Sequence, residues 1–148
     1  GLRLFLPQEM SQVNYYGMGP MECYRDKHHA ASHSSYTATV WQLHEDYIRP
    51  QENGSHFDCD YVMLAGDAVR LTAVGTQPFS FNASHYTQEE LTRKAHNYEL
   101  EPCGSTVLCL DYAQNGIGSE SCGPRLLEQY RLDDATFNFG LRLFPEKK

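Results

Sequence analysis

The segment Phe57-Asp58-Cys59-Asp60-Tyr61-Val62-Met63-Leu64-Ala65 leads, across Gly66-Asp67, into Val69-Arg70-Leu71-Thr72-Ala73-Val74. Apolar or aromatic residues recur at every second position of the first segment, and the second segment is rich in apolar and β-branched residues. The glycine between them permits a tight reversal of the chain. Together the two segments predict an antiparallel β-hairpin whose aspartate side chains face water or a neighbouring domain.

Runs of similar character lie on both sides of this hairpin. They are residues 2–6, 13–16, 36–41, 79–84, 106–112 and 136–144. In the last run, alternation places Phe137, Phe139, Leu141 and Leu143 on one face. About nine short strands separated by turns predict an all-β fold, an antiparallel β-sandwich that forms a single domain over residues 1–148. Thr87-Gln88-Glu89-Glu90 is a capping-box sequence and predicts one short helix near 87–95.

Composition and charge exclude several classes of protein. The chain has 148 residues, of which 41% are hydrophobic and 21% charged, a globular profile. Its net charge is −7 and its only basic cluster is Lys147-Lys148, so we expect no nucleic-acid partner. No apolar run has the length of a membrane span and no signal-peptide pattern is present. We therefore expect no membrane partner and a cytoplasmic location.

The cysteines and histidines do not form a recognisable metal or disulfide pattern. Five cysteines are odd in number and include no Cys-x-x-Cys pair, which favours free thiols over disulfides or a zinc ribbon. His28, His29 and His33 raise the possibility of a metal site. Adjacent histidines point apart on a strand, however, and the flanking alanines and serines are typical of an exposed loop. We therefore expect no metal ligands in this chain.

Three segments contain the residues that are best suited to contact chemistry. Gly116-Ile117-Gly118-Ser119-Glu120-Ser121-Cys122-Gly123-Pro124 combines glycines with small polar side chains and predicts either a contact loop or an ordinary long connection. Gly17-Met18-Gly19-Pro20 forces a turn that presents Glu22, Tyr24 and Arg25-Asp26, the last two of which could equally form a solvated ion pair. Asn53-Gly54 predicts a turn with positive φ beside Glu52, a carboxylate that could serve a site or simply be solvated.

The residues alone do not predict catalysis. A glycosidase requires two carboxylates on opposite sides of the scissile bond, and nothing in the sequence brings Glu52 and Glu120 together. A pairing of Cys122 with one of seven histidines would match by chance. We therefore expect no catalytic residue in this chain.

Four ordered motifs nevertheless carry a resemblance. They are Tyr16-Gly17-Met18-Gly19-Pro20-Met21-Glu22-Cys23-Tyr24-Arg25-Asp26, Tyr47-Ile48-Arg49-Pro50-Gln51-Glu52-Asn53-Gly54, Phe79-Ser80-Phe81-Asn82-Ala83-Ser84-His85-Tyr86-Thr87, and Asp111-Tyr112-Ala113-Gln114-Asn115-Gly116-Ile117-Gly118 with Ser121-Cys122-Gly123-Pro124. In this order they resemble the large bacterial β-galactosidases of glycoside hydrolase family 2. The region resembled is the second half of their C-terminal fifth domain, the small-chain domain.

The resemblance implies a division of labour within a longer enzyme. It implies a galactose-mutarotase-like supersandwich packed on a catalytic (β/α)₈ barrel, which is the expected partner and holds the catalytic glutamates and the magnesium and sodium ligands. No barrel motif occurs in this chain, so we expect it to contain no cofactor and to be inactive alone. The parent enzyme is expected to hydrolyse terminal β-D-galactosides with retention of configuration.

The resemblance also implies roles for particular residues. The glycine loop closes over the galactose pocket in this family, so Gly118, Glu120, Ser121 and Cys122 are expected to bind substrate at its edge. Cys122 stands where well-known members carry a tryptophan platform for the sugar. Two turn motifs, represented by Glu22, Arg25, Asp26, Glu52 and Asn53, are expected to be structural or to contact the barrel.

Two alternatives remain at this stage. A free-standing carbohydrate-binding sandwich would expose aromatic residues on one face, and Tyr15, Tyr16, Trp41 and Tyr47 are the candidates. A plain assembly module would serve as a scaffold or as an oligomer contact. A sheet that has lost its cover would favour a homo-oligomer.

Overall fold

The computed structural model describes residues 1–118 and 124–148. Within these ranges the strands are β1 (Leu2–Pro7), β2 (Gln12–Gly19), β3 (Ser32–Thr39), β4 (His56–Ala65), β5 (Val69–Ser84), β6 (Ser105–Asp111) and β7 (Leu141–Lys147). They are accompanied by one helix, α1 (Gln88–Arg93), and by the 3₁₀ turns Val40–Leu43, Asn97–Glu99 and Glu128–Tyr130. The prediction of an all-β antiparallel fold is confirmed, since all pairs of these strands are antiparallel and no described helix reaches seven residues.

The described strands form one sheet in the order β1-β6-β5-β4-β2-β3, with β7 paired to β5 outside that path. Strand β5 has 16 residues and joins the two parts of the sheet. Its first half, from Val69 to Gly75, pairs with β7, and its second half, from Ser80 to Ser84, pairs with β6. The prediction of two separate strands at 69–74 and 79–84 was wrong, since β5 runs through both. Pro78 does not interrupt the strand, because it lies where β4 and β5 are out of register and therefore needs no ladder hydrogen bond.

The predicted hairpin is present as β4 and β5, but a bulge changes which residues face the core. Register shifts on both sides of Cys59 accompany a positive φ of 56° at Asp58. Cys59 is buried, and beyond the bulge Val62 and Leu64 are buried in place of Tyr61 and Met63. An extra residue in one strand reverses the inward alternation, which a strict period of two does not anticipate.

The core is built from residues on β2, β4, β5 and β6, together with Val40 and Leu43 of the first 3₁₀ turn. Tyr15 lies at its centre, with its ring centroid 5.0 Å from that of Phe81 and 4.6 Å from that of His56. Burial of each such large side chain contributes about 1.5–3 kcal/mol. The predicted β-sandwich fits this packing, in which side chains from several strands form a single buried cluster.

The end of helix α1 and the start of strand β7 differ slightly from the predicted positions. The helix is capped as predicted, since the Thr87 hydroxyl accepts from the Glu90 N–H at 3.1 Å, but it ends at Arg93 because Lys94 is extended. Strand β7 begins at Leu141 rather than at 136, because Phe137 stacks on Tyr112 outside the sheet with ring centroids 4.7 Å apart. No helix in the described part of the chain is long and apolar enough to cross a membrane.

Candidate functional site

Three of the four sequence motifs meet at one open cleft of about 540 Å³. Its lining consists of Tyr24 from the first turn motif, Gln51 and Glu52 from the second, Asp111 at the end of β6, and residues 113–117. The remaining motif, residues 79–87, supplies buried residues of β5 to the core instead. The fold therefore brings together polar loops that are separated in the sequence by more than half of the chain.

Glu22 is buried and joins the two turn motifs. Its carboxylate accepts hydrogen bonds from Lys27 Nζ at 2.6 Å, from the Gly54 N–H at 2.9 Å and from the Tyr47 hydroxyl. The Tyr24 hydroxyl lies 3.4 Å from the same carboxylate. Glu22 is 4% exposed, and its hydrogen bonds link the first turn motif to the second.

The protonation state of Glu22 follows from these partners. Burial by itself raises the pKa of a carboxyl group, but the hydrogen bonds from Lys27, Tyr47 and the Gly54 N–H outweigh it and hold the pKa of Glu22 below its ordinary value. Burial, together with the hydrogen bond to Glu22, raises the pKa of Tyr47 to about 12. Glu22 is therefore ionised at neutral pH and the Tyr47 hydroxyl retains its proton.

The turn at residues 24–27 presents Arg25 and Asp26 toward the glycine-rich segment. Tyr24 and Lys27 exchange backbone hydrogen bonds of 3.0 Å in both directions, which places Arg25 and Asp26 at the corner. The Asp26 carboxylate accepts from the Ile117 N–H at 3.1 Å and from the Gly118 N–H at 3.0 Å. Asp26 therefore binds the glycine segment. This differs from the alternative considered from the sequence, a solvated ion pair between Arg25 and Asp26.

Gly116 packs closely against the Asp26 carboxylate. A Cβ atom added there would lie 2.2 Å from the Asp26 Cγ atom, well inside van der Waals distance. Gly118 is less crowded, with the nearest Asp26 oxygen 3.1 Å from such a Cβ. The first glycine of the motif therefore serves close approach of the Asp26 carboxylate.

Glu52 lies at the wall of the cleft and faces water on one side. Burial by the surrounding protein and the nearby Asp111 carboxylate raise the pKa of Glu52, which no sequence pattern predicts. Asn53 behind it is buried, donates to the Gln51 carbonyl at 2.9 Å and accepts from the Glu45 N–H at 2.9 Å. Gly54 has a φ of 70°, so the predicted positive φ of the turn is confirmed.

Several predicted site residues fall outside the described part of the chain. Glu120, Ser121 and Cys122 lie in residues 119–123, and their predicted contacts remain predictions. The pairing of Glu52 with Glu120 likewise stays untested. Gly118 is described and exposed, and it directly precedes this segment.

Two adjacent histidines lie in a loop, and the described cysteines are free thiols. His28 and His29 lie outside the strands, as the predicted exposed loop requires, and their rings stack at 4.8 Å, whereas His33 lies on β3. No group of three or more His, Cys, Asp or Glu residues among the described ones could hold a metal ion. The four described cysteines are free thiols, as predicted, and they are Cys23, Cys59, Cys103 and Cys109.

No sequence pattern predicted the position of His56, which is fully buried between the rings of Tyr15 and Phe81. Its Nδ1 atom lies 3.1 Å from the Met18 carbonyl, and its Nε2 atom has no hydrogen-bond partner among residues 1–118 and 124–148. Burial lowers the pKa of His56 to about 4. No spacing rule marks a core histidine, because its burial depends on pairing between distant strands.

Comparison with known proteins adds a family to this geometry. Residues 1–143 match the family model described as "Beta galactosidase small chain". A β-galactosidase of Actinobacillus pleuropneumoniae is 48% identical over 147 residues, which cover 99% of this chain and 14% of that protein. Those of Staphylococcus xylosus and of an Arthrobacter species are 43% and 33% identical, each over 97% of this chain. The chain thus spans only 14–15% of the length of these curated relatives.

Proposed function

This chain belongs to the β-galactosidase small-chain family, and we propose that it is a non-catalytic part of an enzyme that hydrolyses terminal β-D-galactosides with retention of configuration. The observation that carries the proposal is the family match over residues 1–143. The short span relative to the relatives supports a partnership with the rest of such an enzyme.

Within that enzyme the chain packs against the catalytic barrel and supplies the loop 116–124 to the edge of the galactose pocket. Support comes from the cleft, where both turn motifs and the first part of the loop meet. Gly118, Glu120, Ser121 and Cys122 are the residues proposed to border the sugar. A thiol at Cys122 offers less apolar area than an aromatic ring, so contact with the sugar there is weaker than on an aromatic platform.

The chemistry itself is assigned to the barrel. A retaining glycosidase needs two carboxyl groups about 5–5.5 Å apart, one acting as nucleophile and one as acid and base. Both are proposed to lie outside this chain, as are the magnesium and sodium ligands of the family. The described residues do not fit a metal site, because they contain no cluster of three or more suitable ligands.

A chimera tests this proposal. The 147-residue matching segment of the A. pleuropneumoniae β-galactosidase would be replaced by this chain, and hydrolysis of a chromogenic aryl β-galactoside would be measured. We expect the chimera to be active, and both the relative without its segment and the isolated chain to be inactive. Turnover by the isolated chain that Glu52→Gln or Glu120→Gln abolishes would place the carboxylates here and refute the proposal. So would a folded chimera without activity.

A second candidate function is carbohydrate binding without catalysis, and one observation favours it. Trp41 is 49% exposed, with its ring 4.6 Å from that of His85 and 5.9 Å from that of Tyr86. Such a supported indole face can stack on a sugar ring. Tyr15, by contrast, is buried in the core, and Tyr47 donates its hydroxyl hydrogen to Glu22.

Fluorescence distinguishes this second candidate, because Trp41 is the single tryptophan of the chain. If the chain binds sugars independently, titration with lactose will change the Trp41 emission along a saturable curve. The matched variant Tyr86→Ala, which keeps the fluorophore, should then weaken the response. A flat titration of the isolated chain would eliminate the second candidate and leave the first.

A further inference from the structure

The start of the glycine loop and the segment that follows the loop contact the same turn. At the start of the loop, the Asp26 carboxylate binds two successive backbone N–H groups, one to each oxygen. Beyond the loop, Arg25 Nη1 lies 3.5 Å from the Arg131 carbonyl. Neighbouring residues of one turn therefore touch residues that are separated by more than a dozen positions along the chain.

The base of the loop is closed by a further contact. The Asn115 side-chain oxygen accepts from the Leu132 N–H at 2.7 Å. Arg131 Nε donates to the Leu126 carbonyl at 3.0 Å, which ties together residues 126–131 in the segment that follows the loop. The Asp26 contact to residues 117 and 118 lies two and three residues after Asn115 in the chain. It is therefore well placed to set the direction in which the loop leaves the sheet.

The turn that carries Asp26 is itself anchored. Lys27, the next residue, forms an ion pair of 2.6 Å with the buried Glu22, and Glu22 also binds the Gly54 N–H of the second turn motif. Charge-assisted hydrogen bonds to a buried carboxylate are short and strong, so this arrangement resists displacement. A rigid support on one side and a two-oxygen contact on the other make Asp26 the link between the core and the loop.

We propose that Asp26 is a positioning residue for galactoside binding, which acts by fixing the backbone of residues 116–118, including Gly118 at the proposed edge of the pocket. This inference rests on the proposed function of the glycine loop. Asp26 itself does not have to touch the substrate. Its loss is expected to weaken substrate binding, seen as a higher KM, and to leave the chemical step largely intact.

Hydrogen exchange tests the positioning step without any enzyme assay. In the isolated full chain, NMR should show protected Ile117 and Gly118 amides, and Asp26→Asn should accelerate their exchange by about tenfold or more, because one acceptor oxygen is replaced by a donor. Asp67→Asn, an exposed aspartate in the β4–β5 turn, is the matched control and should change neither rate. Unchanged exchange in Asp26→Asn would overturn the inference.

A second variant covers the case in which Asp26→Asn does not fold. Gly116→Ala leaves the carboxylate in place but puts a methyl group at the position where it sits. The same two amides should lose protection in this variant, and core amides of β6 should keep theirs. Full protection of Ile117 and Gly118 in Gly116→Ala would also overturn the inference.

Kinetics in the chimera described above then test the functional consequence. We expect Asp26→Asn to raise KM for the aryl β-galactoside about tenfold and to change kcat by less than about twofold, with Asp67→Asn unaffected. Lost amide protection with an unchanged KM would refute the positioning role. An inactive but folded chimera carrying the native Asp26 would instead refute the proposed function, whatever the exchange experiment shows.

Discussion

At the scale of single residues, Glu22 has the largest expected effect on stability. Glu22→Gln removes a buried charge that accepts from Lys27, Tyr47 and the Gly54 N–H. Since hydrogen bonds to charged groups contribute about 1.5–3 kcal/mol, we expect the free energy of unfolding to fall by about 2 kcal/mol in urea titrations at neutral pH. Glu128→Gln, at an exposed carboxylate, is the control and should be neutral. An equally stable Glu22→Gln variant would contradict the anchoring role.

His56 provides a prediction about pH. Its pKa is lowered to about 4 in the folded chain from an ordinary 6.5, so the unfolded chain binds the proton first as pH falls. The free energy of unfolding should therefore decrease from about pH 6.5 down to about pH 4, by about 3 kcal/mol in total. His56→Phe should flatten the upper part of this window, above the range in which carboxylates titrate. His29→Gln, at an exposed histidine, should keep the slope.

At the scale of elements, the helix α1 depends on its cap. Thr87→Ala removes the acceptor of the Glu90 N–H and should lower the free energy of unfolding by about 1 kcal/mol, while Thr87→Asn should restore most of it. Thr136→Ala, in an exposed segment, is the matched control. Thermal or urea unfolding of the three variants measures the effect. Equal loss in both alanine variants would show that the cap contributes nothing specific.

The elements also show how far local rules extend. The hairpin at β4 and β5, the cap at Thr87 and the positive φ of Gly54 follow from patterns within a few residues, and the sequence predicts them. The bulge at Cys59 and the continuity of β5 through Pro78 depend on pairing with the neighbouring strand, which local periodicity does not contain. The same limit applies to the site, since the contact between Asp26 and residues 117–118 joins positions 91 and 92 apart in the chain.

At the scale of the whole molecule, one sheet and one buried cluster connect nearly all described strands. A core shared in this way predicts a single cooperative unfolding transition, because no group of the described strands has a separate core of its own. Trp41 reports on the 3₁₀ turn after β3, whereas far-UV circular dichroism reports on the sheet as a whole. The two signals should therefore give coincident urea transitions with one midpoint. An earlier Trp41 transition would mean that the edge formed by β3 and this turn unfolds separately, and that Val40 and Leu43 are not coupled to the rest of the core.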